Sequence, residues 1–343
     1  MHMQPEDILK RFSPQVDAAL DEALQQIHPE IANITRYFLG WLDESFKPVS
    51  RRSGKKLRPT LALLVHEAIT GSAAPAIPLA VALELIHNYS LIHDDIEDHD
   101  SERRGRPTVW RLWGESVAIN VVDTLHALAF RTLLNDNPSD SSGMLEVYRT
   151  LVETSCQLCE GQHLDITYEK VLDIDQEHYL RMIGRKTAAL IACSSFAGAR
   201  LATNDESLVN AYQGFGTNLG YAFQIRDDFL NLWGDREHVG KDQYSDLRSK
   251  KKTLPVVYAL ARLVDERGER LRAIYADIDQ PMQSEEIHYV LGLLEDLKAR
   301  EYTVDLVNQY IDESLRCLHR TGVSNTSQAQ LHTLARFLVG RDY

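Results

Sequence analysis

The chain has 343 residues, 44% hydrophobic and 25% charged, a composition that excludes a fibrous or wholly disordered protein and allows a sizeable buried core. Its 37 basic and 50 acidic side chains leave a net charge of −13, which argues against nucleic acid or an anionic membrane surface as the partner of the whole molecule. Four cysteines are too few for a disulfide scaffold at this size and agree with a reducing compartment.

The opening segment MHMQPEDILKRF has no basic stretch leading into an apolar run, and no uncharged apolar stretch approaches about 18 residues, so the chain reads as cytoplasmic with no transmembrane segment. Apolar residues then recur at three and four positions in LALLVHEAI, IPLAVALELIHNYSLIH, MLEVYRTLVETSCQLCE and YVLGLLEDLKAREYTVDLVNQYIDESL. That is the period of helices, and alternating β-branched runs bounded by hairpin turns are missing. Breaks fall at 47 to 59, 70 to 78, 135 to 143, 203 to 207 and 233 to 251, and none looks like a linker between unlike halves. The prediction is an all-α fold, a single domain over residues 1–343 with ten or more helices.

Along this scaffold the charged residues form a series. SGKKLRP supplies Lys55 and Arg58. The apolar pattern LELIHNYSLIH carries His87, Tyr89 and Ser90 and runs into Asp94, Asp95 and Asp98. On a helix Asp94 and Asp98 are neighbours about 6 Å apart, and at an effective dielectric of about 20 they repel by about 3 kcal/mol. A cleft holding both calls for a cation. His87, seven residues before Asp94, lies two turns along the same face. RRGRP adds Arg103 and Arg104 at once.

Further on, Cys156 and Cys159 form a C-x-x-C; with no second pair at zinc spacing and no strand pattern, they read as two small buried helix residues. EGQHLD then offers Gln162 and Asp165, and GRKTAAL offers Lys186 and Thr187. YAFQIRDDFLNLWGD places Asp227 and Asp228 on another apolar helix, with Asn231 four residues after Asp227. The long charged segment 233 to 251 brings Lys241, with Lys252 just beyond it, and long loops in compact domains tend to be functional.

Each of these features has a bland reading alone, a solvated helix end or a surface charge. Together they favour magnesium, which takes one or two carboxylates and completes its octahedron with water and phosphate oxygens. Guanidinium forks and lysine point charges suit diphosphates. Two anion sites emerge: Arg103, Lys186, Lys241 and Lys252 around a diphosphate bridged by magnesium to the carboxylates, and Lys55, Arg58, His87 and Arg104 around one without metal.

The series GKKLRP, ELIHNYSLIHDDIEDHDSERRGRPTVW, GQHLD, IGRKTAAL, FQIRDDFLNLWGD and GKDQYSDLRSKKKTLPVVYAL, in this order over residues 54 to 260, resembles the motifs of the trans-isoprenyl diphosphate synthases. Walker-type and Rossmann glycine fingerprints are missing. The resemblance implies an isoprenoid-synthase helical bundle around a deep central cavity between two Asp-rich motifs, usually a homodimer. It implies catalysis by Asp94, Asp95, Asp98, Asp227, Asp228 and Lys186. Three Mg2+ ions, for which Mn2+ can substitute, would sit on Asp94, Asp98, Asp165 and Asp227.

By the same resemblance an allylic diphosphate lies on Arg103, Gln162, Lys186, Thr187, Lys241 and Lys252, and isopentenyl diphosphate on Lys55, Arg58, His87, Arg104 and Gln224. Ionisation of the allylic C–O bond, attack by the isopentenyl double bond and proton loss to the departing diphosphate would lengthen the chain. Tyr89 and Ser90, five and four residues before Asp94, resemble the short-chain enzymes that make geranylgeranyl diphosphate, with farnesyl diphosphate the next choice. Asn231 stands where a third Asp is often found, and Trp110 where a His is. The alternatives are a class I terpene cyclase, which needs no second substrate site, and a noncatalytic partner subunit, which would be expected to lose motif carboxylates.

Overall fold

The computed structural model describes residues 3–49, 54–134, 141–234, 244–278 and 280–340. Its helices are α1 (Pro5–Lys10), α2 (Ser13–Leu24), α3 (Pro29–Phe38), α4 (Leu57–Thr70), α5 (Ile77–Glu97), α6 (Val109–Trp113), α7 (Glu115–Leu134) and α8 (Ser141–Glu169). They continue with α9 (Gln176–Ile183), α10 (Ala189–Ala202), α11 (Glu206–Trp233), α12 (Ser245–Arg248), α13 (Leu254–Arg262), α14 (Glu266–Ala276), α15 (Ser284–Asp296), α16 (Ala299–Arg320) and α17 (Thr326–Val339). A π-helical turn, Gly184–Ala188, lies between α9 and α10. Sheet among the described residues is confined to a hairpin, β1 (Glu102–Arg103) antiparallel to β2 (Arg106–Pro107), so the fold is all-α as predicted.

The chain forms two compact units, each discontinuous in sequence. The first comprises residues 1–155, 193–213 and 318–334. Here α4 and α5 are buried on nearly every side, with Leu61, Leu63, Leu79, Leu83 and Ile92 at 0% exposure. That is why their sequences lack a polar stripe. Each such side chain contributes about 2 kcal/mol by leaving water. α4 ends at Gly71, whose φ of 82° and N–H bond to the Glu67 carbonyl make a left-handed cap. α5 starts with Pro78 in its first turn and packs against α4 and α7. Residues 74–97 and 115–134 are long and apolar enough to cross a membrane, but α5 has its apolar surface covered by protein. α7 instead leaves Ile119 and Leu134 uncovered, as α8 does Leu145 and Val152.

The second unit comprises residues 156–192, 214–317 and 335–343. One core cluster joins Leu232, Leu247, Val256, Leu260, Tyr275, Val290 and Leu294 from α11 to α15. α15 opens with a capping box, Gln283 and Glu286. Two glycines admit the π-helical turn: a Cβ on Gly161 would lie 2.2 Å from the Lys186 nitrogen, and one on Gly220 2.5 Å from the Ala188 Cα. Only residues without a side chain let α8 and α11 approach that backbone so closely.

Two details depart from the sequence reading. The run from Tyr289 to Leu315, helical in period and quoted without a break, is interrupted between α15 and α16, with Lys298 at φ 54°; no Gly or Pro marks the break. Cys156 and Cys159 are exposed, not buried. The buried face of α8 is taken by Leu151, Thr154, Ser155, Leu158 and Gln162, and the helical period turns both thiols away from it.

Candidate active site

In the first unit α5 delivers the acidic motif, and Asp98 caps its end with its N–H on the Asp94 carbonyl. The two adjacent carboxyls part company. Asp95 is 0% exposed and accepts from Arg103 Nε at 2.6 Å. Burial pushes its carboxyl up to about 6, against the pull of Arg103, while Asp100 and Asp94 push it further upward. Asp94 is half-buried and Asp98 exposed.

Arg103 and Arg104 ride on the β1–β2 hairpin, whose turn places Arg104 at φ 55° and Gly105 at φ 69°, the doubly left-handed geometry of a tight two-residue hairpin. Arg104 reaches back to the GKKLR segment: a Cβ on Gly54 would sit 3.3 Å from its guanidinium. Lys55 is exposed, whereas Arg58, in the first turn of α4, is half-buried. Burial lowers the Arg58 guanidinium to about 10 in spite of Glu84. His87 is held well below its ordinary value by burial and then by Arg58, Arg104, Arg103 and Lys56. It is therefore a neutral imidazole among cations, able to donate one N–H to an anion.

Sequence reasoning missed two members of this group. Lys56, with φ 48° at the start of α4, is buried with its Nζ 2.8 Å from Asp17 and 3.6 Å from Glu84. Glu84 is 4% exposed and faces Lys56, Arg58 and Arg104. Its signal was a single acid inside the apolar run VALELI. Tyr89, 3% exposed, sets its ring edge-on to His93 and His126, and His126, Phe130 and Tyr148 continue the ladder. The Ser90 hydroxyl donates to the His87 carbonyl.

In the second unit α11 presents Asp227 exposed and Asp228 buried, the same division as in α5. Tyr179 Oη donates to Asp228 Oδ2 at 2.6 Å, Gln224 Nε2 to Oδ1 at 3.0 Å, and the Leu254 N–H to Oδ2 at 3.3 Å. Burial still raises this carboxyl to about 7. Gln224 is engaged at both ends, since its Oε1 accepts from Thr187 at 2.7 Å. Asp165 pairs with Lys186 at 2.5 Å. Burial would raise Asp165, but the Lys186 and Lys251 charges and the Lys186 hydrogen bond hold it below the usual carboxylate range. Gln162 is 8% exposed with neither amide atom hydrogen-bonded, a buried group shaped for a ligand or water.

Lys252, expected at the allylic diphosphate, donates instead to the carbonyls of Tyr168 and Glu169 at the end of α8. Its neighbour Lys251 is the one whose charge bears on Asp165. Asn231 also has other work: its Nδ2 donates to Ser245 and its Oδ1 accepts the Asp246 N–H. Lys241 lies outside the described residues.

Among the described residues no three His, Cys, Asp or Glu side chains gather closely enough to hold a metal by themselves. Asp94 and Asp98 in the first unit and Asp227 in the second each offer hard carboxylate oxygens of the kind magnesium takes one or two at a time, leaving most of its octahedron to water and phosphate. Each unit also carries cations suited to phosphate, Arg103 and Arg104 in the first and Lys186 and Lys251 in the second.

The Polyprenyl synthetase family profile matches residues 40–294. The (2E,6E)-farnesyl diphosphate synthase of Mycobacterium tuberculosis is 36% identical over 328 residues, 95% of this chain and 90% of that one. The geranylgeranyl diphosphate synthase of Saccharolobus solfataricus is 32% identical over 323 residues, 94% and 96%. Among solved structures, a polyprenyl synthetase from Streptomyces coelicolor A3(2) superposes with a TM-score of 0.88 at 36% identity, covering 97% of this chain and 98% of that one. A polyprenyl synthase from Caulobacter crescentus, complexed with calcium and isoprenyl diphosphate, gives 0.81 at 28% identity over 98% of each. A helical scaffold, a motif series in order and matches along almost the whole length converge: the chain belongs to the polyprenyl synthetase family and is a prenyltransferase.

Proposed function

We propose that the chain condenses isopentenyl diphosphate head-to-tail with an allylic diphosphate (dimethylallyl, geranyl or farnesyl), depending on magnesium, to give geranylgeranyl diphosphate. Farnesyl diphosphate is the second reading, favoured by the mycobacterial relative's name. The observation that carries the proposal is the shared division of labour in the two Asp pairs, Asp94 outward with Asp95 buried and Asp227 outward with Asp228 buried. In each, the inward carboxyl is tied into its own unit by hydrogen bonds, and the outward one is the more accessible to a metal. A relative solved with a divalent cation and isoprenyl diphosphate supports the choice of ligands.

Asp94, Asp98, Asp165 and Asp227 would hold the magnesium. When bound, it supplies positive charge to the departing diphosphate. Arg103, Lys186 and Lys251 add to that charge, so the allylic C–O bond breaks and leaves a carbocation. Arg58, Arg104, Lys55 and Lys56, with neutral His87, hold isopentenyl diphosphate while its double bond attacks. The proton released goes to the departing diphosphate, as no side chain identified here is an evident base. This second cation set favours condensation over cyclisation. Tyr89 and its aromatic ladder form the floor that stops the growing tail.

The uncovered apolar side chains of α7 and α8 support a homodimer through that face; a monomeric mass by light scattering would dismiss it. The whole reading is tested by incubating the protein with magnesium, isopentenyl diphosphate and each allylic substrate, then sizing the products. Turnover should vanish in chelator and in Asp94→Ala, whose fold should persist. Full activity in either case, or cyclic hydrocarbons as the only products, overturns the proposal.

A further inference from the structure

The β1–β2 hairpin carries Arg103 and Arg104 on strands of two residues each, far too short to be stable alone. Its underside is not closed by packed side chains. A small cleft of about 80 Å³ lies there, lined by Tyr37 to Gly40, Arg103, Arg104 and Arg106 to Thr108. Beside this cleft, discrete polar contacts help to set the hairpin's position.

Those contacts converge on Arg106 and Tyr37. Arg106 Nη1 donates to the Tyr37 carbonyl at 2.8 Å and Nη2 to the Leu42 carbonyl at 2.7 Å, joining β2 to the last turn of α3 and the loop beyond. The same guanidinium lies 3.9 Å from the centre of the Tyr37 ring, within cation–π range. The Tyr37 hydroxyl returns a bond to the Pro107 carbonyl at 2.7 Å. Tyr37 is itself 2% exposed and wedged by Trp113, edge-on at 5.0 Å, with Phe46 stacked on that indole. The two ends of the hairpin thus differ. Arg103 has its own tether to α5 through Asp95, whereas Arg104 sits in the turn, oriented by the backbone that Arg106 and Tyr37 fix.

We infer that Arg106 and Tyr37 are positioning residues that hold Arg104 in place for the diphosphate of isopentenyl diphosphate; this rests on the function proposed above. Neither side chain touches substrate. Their removal should harm one substrate selectively, because Arg103 keeps a separate anchor.

The experiment compares wild type, Arg106→Gln, Arg106→Lys and Tyr37→Phe, varying each substrate with the other saturating. Arg106→Gln should raise KM for isopentenyl diphosphate about tenfold, the scale of one lost charge-assisted hydrogen bond, with the allylic KM held within about twofold. Added guanidinium ion should restore part of the loss. Tyr37→Phe should shift the same KM in the same direction by less, and it serves alone should Arg106→Gln fail to fold. Equal rises in both KM values, a fall in kcat only, or no change overturns the positioning role. A wild-type chain that transfers no prenyl group overturns the functional reading and this one with it, whereas an active wild type with indifferent variants overturns only this one.

Discussion

Asp228 offers a test of the second unit's internal electrostatics through Asp228→Asn in metal-free buffer. Its carboxyl is 5% exposed and accepts three hydrogen bonds, yet burial, helped by Asp246 and Asp227, raises it from 3.8 to about 7. The folded chain therefore holds this proton more tightly than the unfolded one. Its stabilising contribution is complete below about pH 4 and is lost as pH climbs through about 7. At about 1.4 kcal/mol per tenfold change in proton affinity, the loss is at most about 4 kcal/mol. An amide cannot ionise, so this part of the pH slope disappears. The amide oxygen can keep Tyr179 and the Leu254 N–H, but its NH2 meets the Gln224 NH2, a mismatch costing about 1 to 3 kcal/mol. The expected result in urea titrations is a variant less stable than wild type at pH 5 that draws level or overtakes it by pH 8. A residual slope should remain from Asp95, raised in the same sense to about 6. Parallel stability curves for variant and wild type between pH 5 and 8 would refute the reasoning.

Two further substitutions separate neighbouring lysines. Lys252→Ala should lower stability by about 1 to 3 kcal/mol in thermal melts, since it removes the ammonium donor that the Tyr168 and Glu169 carbonyls at the end of α8 share, and Tyr168 keeps only the Val171 N–H. Lys251→Ala should lower the melt by less than Lys252→Ala, losing only its charge on Asp165, and raise the allylic KM, and the reverse pattern would return Lys252 to the substrate. Tyr89→Ala should lengthen the product, read by chromatography of the dephosphorylated alcohols, with His126 and Phe130 as the next obstruction; an unchanged length would remove Tyr89 from the floor.

The chain's own residues determined its helical class and the chemistry of its motifs. Both follow from local information: apolar spacing near 3.6 sets the helices, and carboxylates with arginines and lysines in a fixed order carry the family's motif series without any coordinates. Tertiary structure decided which of two adjacent like residues is buried or engaged and which faces outward. Asp94 and Asp95, Asp227 and Asp228, Lys55 and Lys56, and Lys251 and Lys252 are near-equivalent on paper, and a helix turns about 100° per residue, so their directions depend on where the rest of the protein lies. The outward turn of Cys156 and Cys159 was hidden for the same reason. So was the clamp under the hairpin, where Tyr37 and Arg106 stand 69 residues apart and meet only once α3 and β2 have been brought together by folding.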